Sequence, residues 1–123
     1  MNNFFRISIL KTFFQILKGS LWDKIQERGK LDEQLVKEYT KQILEGIDYL
    51  HSHNVIHSDL KARNILIDDG DILKLADFGL SKKLPSDFVT SRVFGTCSGT
   101  CTHLAPEIIK AKNGKYGRKI DIW

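Results

Sequence analysis

The feature that most constrains this chain is a pair of short apolar runs closed by a tight turn. Ile65-Leu66-Ile67 and Ile72-Leu73-Lys74-Leu75 flank Asp68-Asp69-Gly70, and β-branched runs around such a turn predict a β-hairpin. The consequence lies at its two ends. His57-Ser58-Asp59-Leu60-Lys61-Ala62-Arg63-Asn64 precedes the first strand and Asp77-Phe78-Gly79 follows the second. One hairpin can therefore converge Asp59, Lys61, Asn64 and Asp77 on a single site.

Around the hairpin the periodicity is helical. Leu35, Tyr39, Ile43, Ile47 and Leu50 recur at three- and four-residue intervals, predicting an amphipathic helix from an Asp32 N-cap to about His51. Leu31 and Val36 are spaced to staple its start. Ser20 is placed to cap a shorter helix through Arg28, with Gly29 ending it. Residues 77–103 are polar and without a sustained period, and a loop of that length is more often functional than idle. Ala105-Pro106-Glu107 starts another short helix, with proline suited to the first turn.

Composition excludes several classes. With 123 residues, 41% hydrophobic and 28% charged, the chain is neither disordered, collagen-like nor a coiled coil. Its +4 formal charge (19 Lys and Arg against 15 Asp and Glu) is spread along the sequence, which is no nucleic-acid footprint. Two cysteines, Cys97 and Cys101, make no disulfide framework. They read as free thiols in preference to a zinc site with His51, His53 or His103, because C-x-x-x-C with unplaced histidines is a weak pattern. Residues 4–17 are mostly apolar, but Arg6, Lys11 and Gln15 interrupt them, so no membrane span is expected. They lack the unbroken core and cleavage site of a signal peptide. Residues 1–21 are acid-free, which permits a mitochondrial transit peptide. A β-strand running into a turn at Lys18-Gly19-Ser20, in a cytoplasmic protein, is the preferred reading.

Two carboxylates, an amine and an amide are the groups phosphoryl transfer needs. One carboxylate orients the attacking hydroxyl and takes its proton, and the amine offsets phosphoryl charge. The amide and the second carboxylate can hold magnesium, which prefers oxygen ligands. The plainer alternative is that Asp59, Asn64 and Asp77 are turn formers.

The motifs decide between these. His57 to Asn64 resembles the H-R-D-L-K-x-x-N catalytic loop of protein kinases, Asp77-Phe78-Gly79 their D-F-G, and Ala105-Pro106-Glu107 their A-P-E. Eleven residues match in order, which chance does not produce at roughly one in twenty per position. Asp121-Ile122-Trp123 resembles the start of the helix that runs through the kinase large lobe. The resemblance implies an α+β fold: a large-lobe fragment, mainly helical, with a short β-hairpin and a long activation loop. Residues 19–123 would be a partial large lobe, and residues 13–18, within the apolar segment 1–18, the last small-lobe strand and hinge. The Leu35–Leu50 stripe would pack against the large-lobe core.

The resemblance also implies roles. Asp59 would be the catalytic base and Lys61 the phosphate-contacting lysine; Asn64 and Asp77 would bind magnesium. Leu66 would lie under the adenine of ATP, and Phe78 would stack on His57. Lys61 with Thr100 resembles the serine/threonine branch, with Thr100 shaping the pocket for the protein substrate. Gly19-Ser20-Leu21, the stretch from Tyr39 to Gly46, and Lys74 to Gly79 look most like MAP kinase kinase kinases, implying a place in a MAP kinase cascade.

Departures from the pattern temper the enzyme reading. No G-x-G-x-x-G loop and no V-A-I-K lysine occur in the 123 residues, so this polypeptide assayed alone is expected to be inactive. Ser58 replaces the arginine of H-R-D, which removes the cation that would read a phosphate at Thr90, Ser91 or Thr96. Cys101 and His103 stand where proline and an aromatic residue are usual. The alternatives are an inactive pseudokinase serving as an interaction module, or a truncated remnant. Arg63, Lys82 and Lys83 read as solvated charge, with contact to an acidic substrate as the second reading.

Overall fold

The computed structural model describes residues 17–84, 93–94, 103–110 and 115–123. Strand β1 (Leu17–Ser20) leads directly into helix α1 (Leu21–Arg28), and helix α2 (Glu33–Ser52) follows. Strand β2 (Val55–Ile56), a 3-10 turn (Ala62–Asn64), and strands β3 (Ile65–Asp68) and β4 (Leu73–Leu75) come next. A second 3-10 turn (Phe78–Leu80) precedes β5 (Lys82–Lys83), β6 (Val93–Phe94), helix α3 (Pro106–Lys110), β7 (Lys115–Tyr116) and a last 3-10 turn (Arg118–Asp121).

The helices begin where their capping residues place them. Ser20 accepts the Asp23 amide, and the Asp23 carboxylate returns the bond to the Ser20 amide at 2.9 Å, a complete capping box. Asp32 accepts from the Gln34 amide at 2.9 Å and starts α2. Such caps satisfy amides that have no partner within the helix. The staple is only half formed: Leu31 packs into the core, whereas Val36 stays 44% exposed.

Among the described residues three antiparallel sheets form, with strand orders β1-β3-β4, β2-β5 and β6-β7. The expected hairpin is β3-β4, in the register Ile65 to Leu75, Leu66 to Lys74 and Ile67 to Leu73. Lys18-Gly19-Ser20 does not turn. It continues β1 along β3 through a bulge, with Gly19 at φ +124, where L side chains are strained.

The first part of the helical stripe, Leu35, Tyr39 and Ile43, packs on the hairpin. Leu21, Tyr39, Ile65 and Ile67 are buried together, with Ile25, Leu31, Leu35, Ile43, Leu73 and Leu75 around them. Gly46 allows the close approach, since a Cβ there would stand 3.1 Å from Leu75 Cδ1. A second core gathers Ile56, Leu84, Ala105, Tyr116 and Ile120. The segment containing His57 to Asn64 runs between the two cores.

Candidate active site

Strand β2 delivers the chain to His57, whose side chain is fully buried. The Asp59 amide donates to His57 Nδ1 at 3.3 Å, and His57 Nε2 lies 2.9 Å from the Ala76 carbonyl. An amide can only donate and a carbonyl can only accept, so these partners assign the proton to Nε2. The imidazole thus ties the loop to the far end of the hairpin. Its ring also meets Phe78, with centroids 4.9 Å apart and planes tilted by 50°, the contact expected from the sequence.

The loop is held from below by Asp121, whose side chain is only 1% exposed. Its Oδ2 accepts from the His57 amide at 2.9 Å and from His51 Nε2 at 2.8 Å, and its Oδ1 accepts from the Ser58 amide at 2.8 Å. Two successive backbone N–H groups can grip one carboxylate because Ser58 is left-handed, at φ 72. That conformation costs about 1–3 kcal/mol in a residue other than glycine, and three hydrogen bonds to a buried carboxylate offset it.

Asp59 is the centre of the constellation. Its side chain is 9% exposed, and its Oδ2 accepts from Lys61 Nζ at 2.8 Å and from Asn64 Nδ2 at 3.1 Å. Asn64 Nδ2 also donates to the Asp59 carbonyl at 2.9 Å. Asn64 therefore spends its amide nitrogen on Asp59, which leaves its amide oxygen as the atom for a hard cation. The Ala76 amide bonds the Asn64 carbonyl at 2.9 Å, so Asp77 leaves the hairpin beside Asn64. Asp77 is exposed and left-handed, at φ 60. One of its carboxylate oxygens accepts from the Gly79 amide at 3.4 Å. An amide oxygen next to an exposed carboxylate suits magnesium, which takes few protein ligands and completes its shell with water and phosphate oxygens.

The sequence candidates thus separate. Asp59, Lys61 and Asn64 are in direct contact, and Asp77 joins them through the hairpin. Leu66 is half-buried on β3. Thr100, Thr90, Ser91, Thr96, Cys97 and Cys101 lie outside the described residues, as do residues 1–16. A cleft of about 60 Å³ borders Asp59, lined also by Ser58, His103, Ala105 and Ile108. The larger cavity, about 430 Å³, lies between α1 and the β3-β4 turn, and none of the candidate residues lines it.

Two participants were missed as such by sequence reasoning. Asp121 was read only as the start of a helix, and His51 only as a weak zinc candidate; here His51 hydrogen-bonds Asp121. No local pattern could reveal a bond spanning 70 residues. Ser58 carries a buried hydroxyl without a hydrogen-bond partner among the described residues.

With this geometry in place, the relatives are informative. The protein kinase domain family matches residues 8–123. The chain is 40% identical to mitogen-activated protein kinase kinase kinase 3 of Mus musculus over 116 residues, 94% of this chain and 18% of that protein. It is 42% identical to the serine/threonine-protein kinase BCK1/SLK1/SSP31 of Saccharomyces cerevisiae over 105 residues, 85% of this chain and 7% of that protein. A third relative, CBL-interacting protein kinase 15 of Oryza sativa subsp. japonica, is 43% identical over 105 residues, 24% of its length. The chain therefore spans less than a quarter of each of these relatives. Among the described residues no helix is long and apolar enough to cross a membrane. By the extent of the domain match and by its similarity to MAP kinase kinase kinases, the chain belongs to the protein kinase family, in its serine/threonine branch.

Proposed function

We propose that these residues form the catalytic-loop and magnesium-binding part of a protein kinase that transfers the γ-phosphoryl of ATP to serine or threonine of a protein. The observation that carries the reading is the Asp59 carboxylate, nearly buried yet bonded through one oxygen by both Lys61 and Asn64. A substrate hydroxyl approaching Asp59 would surrender its proton there. Lys61, on the same carboxylate, would offset charge on the phosphoryl in transit. Magnesium held by Asn64 and Asp77 would neutralise the phosphate oxygens of ATP, with Leu66 beneath the adenine. Thr100 would shape the protein-substrate side. Positioning and electrostatics do most of the work in such a transfer, so rigid seating of the loop on Asp121 matters as much as the identity of the base.

Similarity to a mitogen-activated protein kinase kinase kinase and to a yeast serine/threonine-protein kinase supports a place in a MAP kinase cascade, with a protein as substrate; the compartment this reading assigns is the cytoplasm. The second reading is an interaction module without turnover. It is favoured by Ser58, which stands where the arginine of the catalytic-loop pattern is usual and carries a buried hydroxyl with no hydrogen-bond partner among the described residues.

A phosphoryl-transfer assay with labelled ATP, magnesium and a generic protein substrate separates these readings. It compares the chain alone with a chimera carrying the glycine-loop lobe of a relative ahead of Gly19. The chain alone is expected at background, and the chimera to label serine or threonine and to lose this on Asp59→Asn. A chimera that stays silent supports the interaction module, and labelling that survives both Asp59→Asn and Asp77→Ala contradicts the site.

A further inference from the structure

We propose that Arg63 selects protein substrates that carry an anionic side chain close to the phosphoacceptor. The proposal deepens the kinase reading and rests on it. Arg63 is the middle residue of the 3-10 turn Ala62–Asn64. Lys61, two residues before it, and Asn64, the next residue, both bond the Asp59 carboxylate. The backbone of Arg63 thus adjoins a residue in contact with Asp59, so an anion held at its side chain would belong to a residue flanking the phosphoacceptor and not to the phosphoacceptor itself.

The side chain is built to hold an anion. Arg63 is exposed, and its guanidinium lies 4.5 Å from the centre of the Trp22 ring on α1. Stacking on an indole face fixes the guanidinium plane while leaving its edge, with five N–H donors, open. Among the described residues Arg63 makes no hydrogen bond or ion pair. Asp23 feels the Arg63 charge without pairing with it; its Oδ2 accepts from the Ser20 amide at 2.9 Å and from Ser20 Oγ at 2.6 Å. Lys61 is engaged with Asp59. The fork of a pre-oriented guanidinium matches two oxygens of a carboxylate or a phosphate monoester, so the ligand chemistry is a glutamate, an aspartate or a phosphorylated residue of the substrate.

Binding can be read without turnover. The sequence has two tryptophans, and Trp123 is 73% exposed, so Trp123→Phe leaves Trp22, directly under Arg63, as the fluorescent reporter. In that background the chain is titrated at low ionic strength with three serine peptides, flanked by glutamate, by glutamine or by phosphoserine. The glutamate peptide is expected to bind about fivefold tighter than the glutamine peptide, as one oriented ion pair allows. The phosphoserine peptide tells whether phosphate is preferred to carboxylate. Arg63→Ala should erase the preference, Arg63→Glu should reverse it, and Arg63→Lys should keep only part of it. Circular dichroism confirms folding, with Arg63→Gln as the substitute if Arg63→Ala does not fold.

Equal affinity for the charged and neutral peptides, or a preference that survives Arg63→Glu, overturns the proposal. So does competition by ATP for the Trp22 signal, which would make nucleotide phosphate the anion. Failure of the kinase reading looks different: the acidic preference is present while the chimera shows no Asp59-dependent transfer.

Discussion

The two cores of this molecule are assembled in opposite ways. The first, around Leu21, Tyr39, Ile65 and Ile67, is built from a helical stripe and a hairpin that lie close in sequence. Its polar edge is a surface cluster: Lys24 Nζ bonds Tyr39 Oη and Asp71 Oδ1, and Tyr39 Oη donates to Asp71 Oδ1 at 3.0 Å. The second core collects Ile56, Leu84, Ala105, Tyr116 and Ile120 from distant segments. It is reinforced by a buried carboxylate, Asp121, which bonds groups 63 to 70 residues away. The first region supplies a rigid hairpin, whereas the second fixes the loop that carries Asp59. The geometry around Asp59 therefore depends on a few long-range polar contacts, and bulk apolar burial stabilises the platform beside them.

Substitutions should break the two regions differently. Asp121→Ala is expected to have the largest effect, about 4 kcal/mol, because it leaves the buried amides of His57 and Ser58 without an acceptor; a urea titration followed by far-UV circular dichroism reads it. Ile67→Ala should cost about 3 kcal/mol through lost burial and a cavity, read by the same titration. It should lower stability while sparing the His57–Asp121 contacts. Ser20→Ala removes the side-chain half of the capping box of α1, leaving the residue-20 amide bonded to Asp23, and should cost about 1 kcal/mol, visible as faster amide exchange over residues 21–24.

The smallest effect belongs to the half-exposed Asp71 at the edge of the first core. Hydrogen bonds from Lys24 and then Tyr39 hold the Asp71 carboxyl below the usual aspartate range. A carboxyl whose value is lowered by folding stabilises the fold above its unfolded value and loses that contribution as pH falls through the folded one. Asp71→Asn should therefore cost less than about 1 kcal/mol at neutral pH, as half-exposed ion pairs do. The difference from the parent should close in thermal melts taken progressively below about pH 4.

The same contrast explains what could be read from the sequence. In the first region every signal is local: Ser20 and Asp32 cap, Gly29 ends a helix, and the Leu35-to-Ile47 stripe and the Asp68-Asp69-Gly70 turn have recognisable spacing. The hairpin and both long helices were legible for that reason. The destination of the stripe was not, because periodicity shows which face is apolar but not what covers it. In the second region, β2 and β5 are two residues each, too short to have a period. Asp121 reaches His57 across 64 residues, a distance over which sequence spacing has no meaning. Motif order singles out Asp59, Lys61, Asn64 and Asp77, of which the first three meet directly, but it does not reveal the supports His51 and Asp121.

The dependence of the Asp59 loop on Asp121 can be measured by hydrogen exchange on the chain and on Asp121→Asn, resolved at the amides of His57 and Ser58. Slow exchange at both amides in the parent, lost in the variant while the α2 amides keep their protection, is the result expected. Protection unchanged at His57 and Ser58, or lost together throughout α2 and the loop, would contradict it.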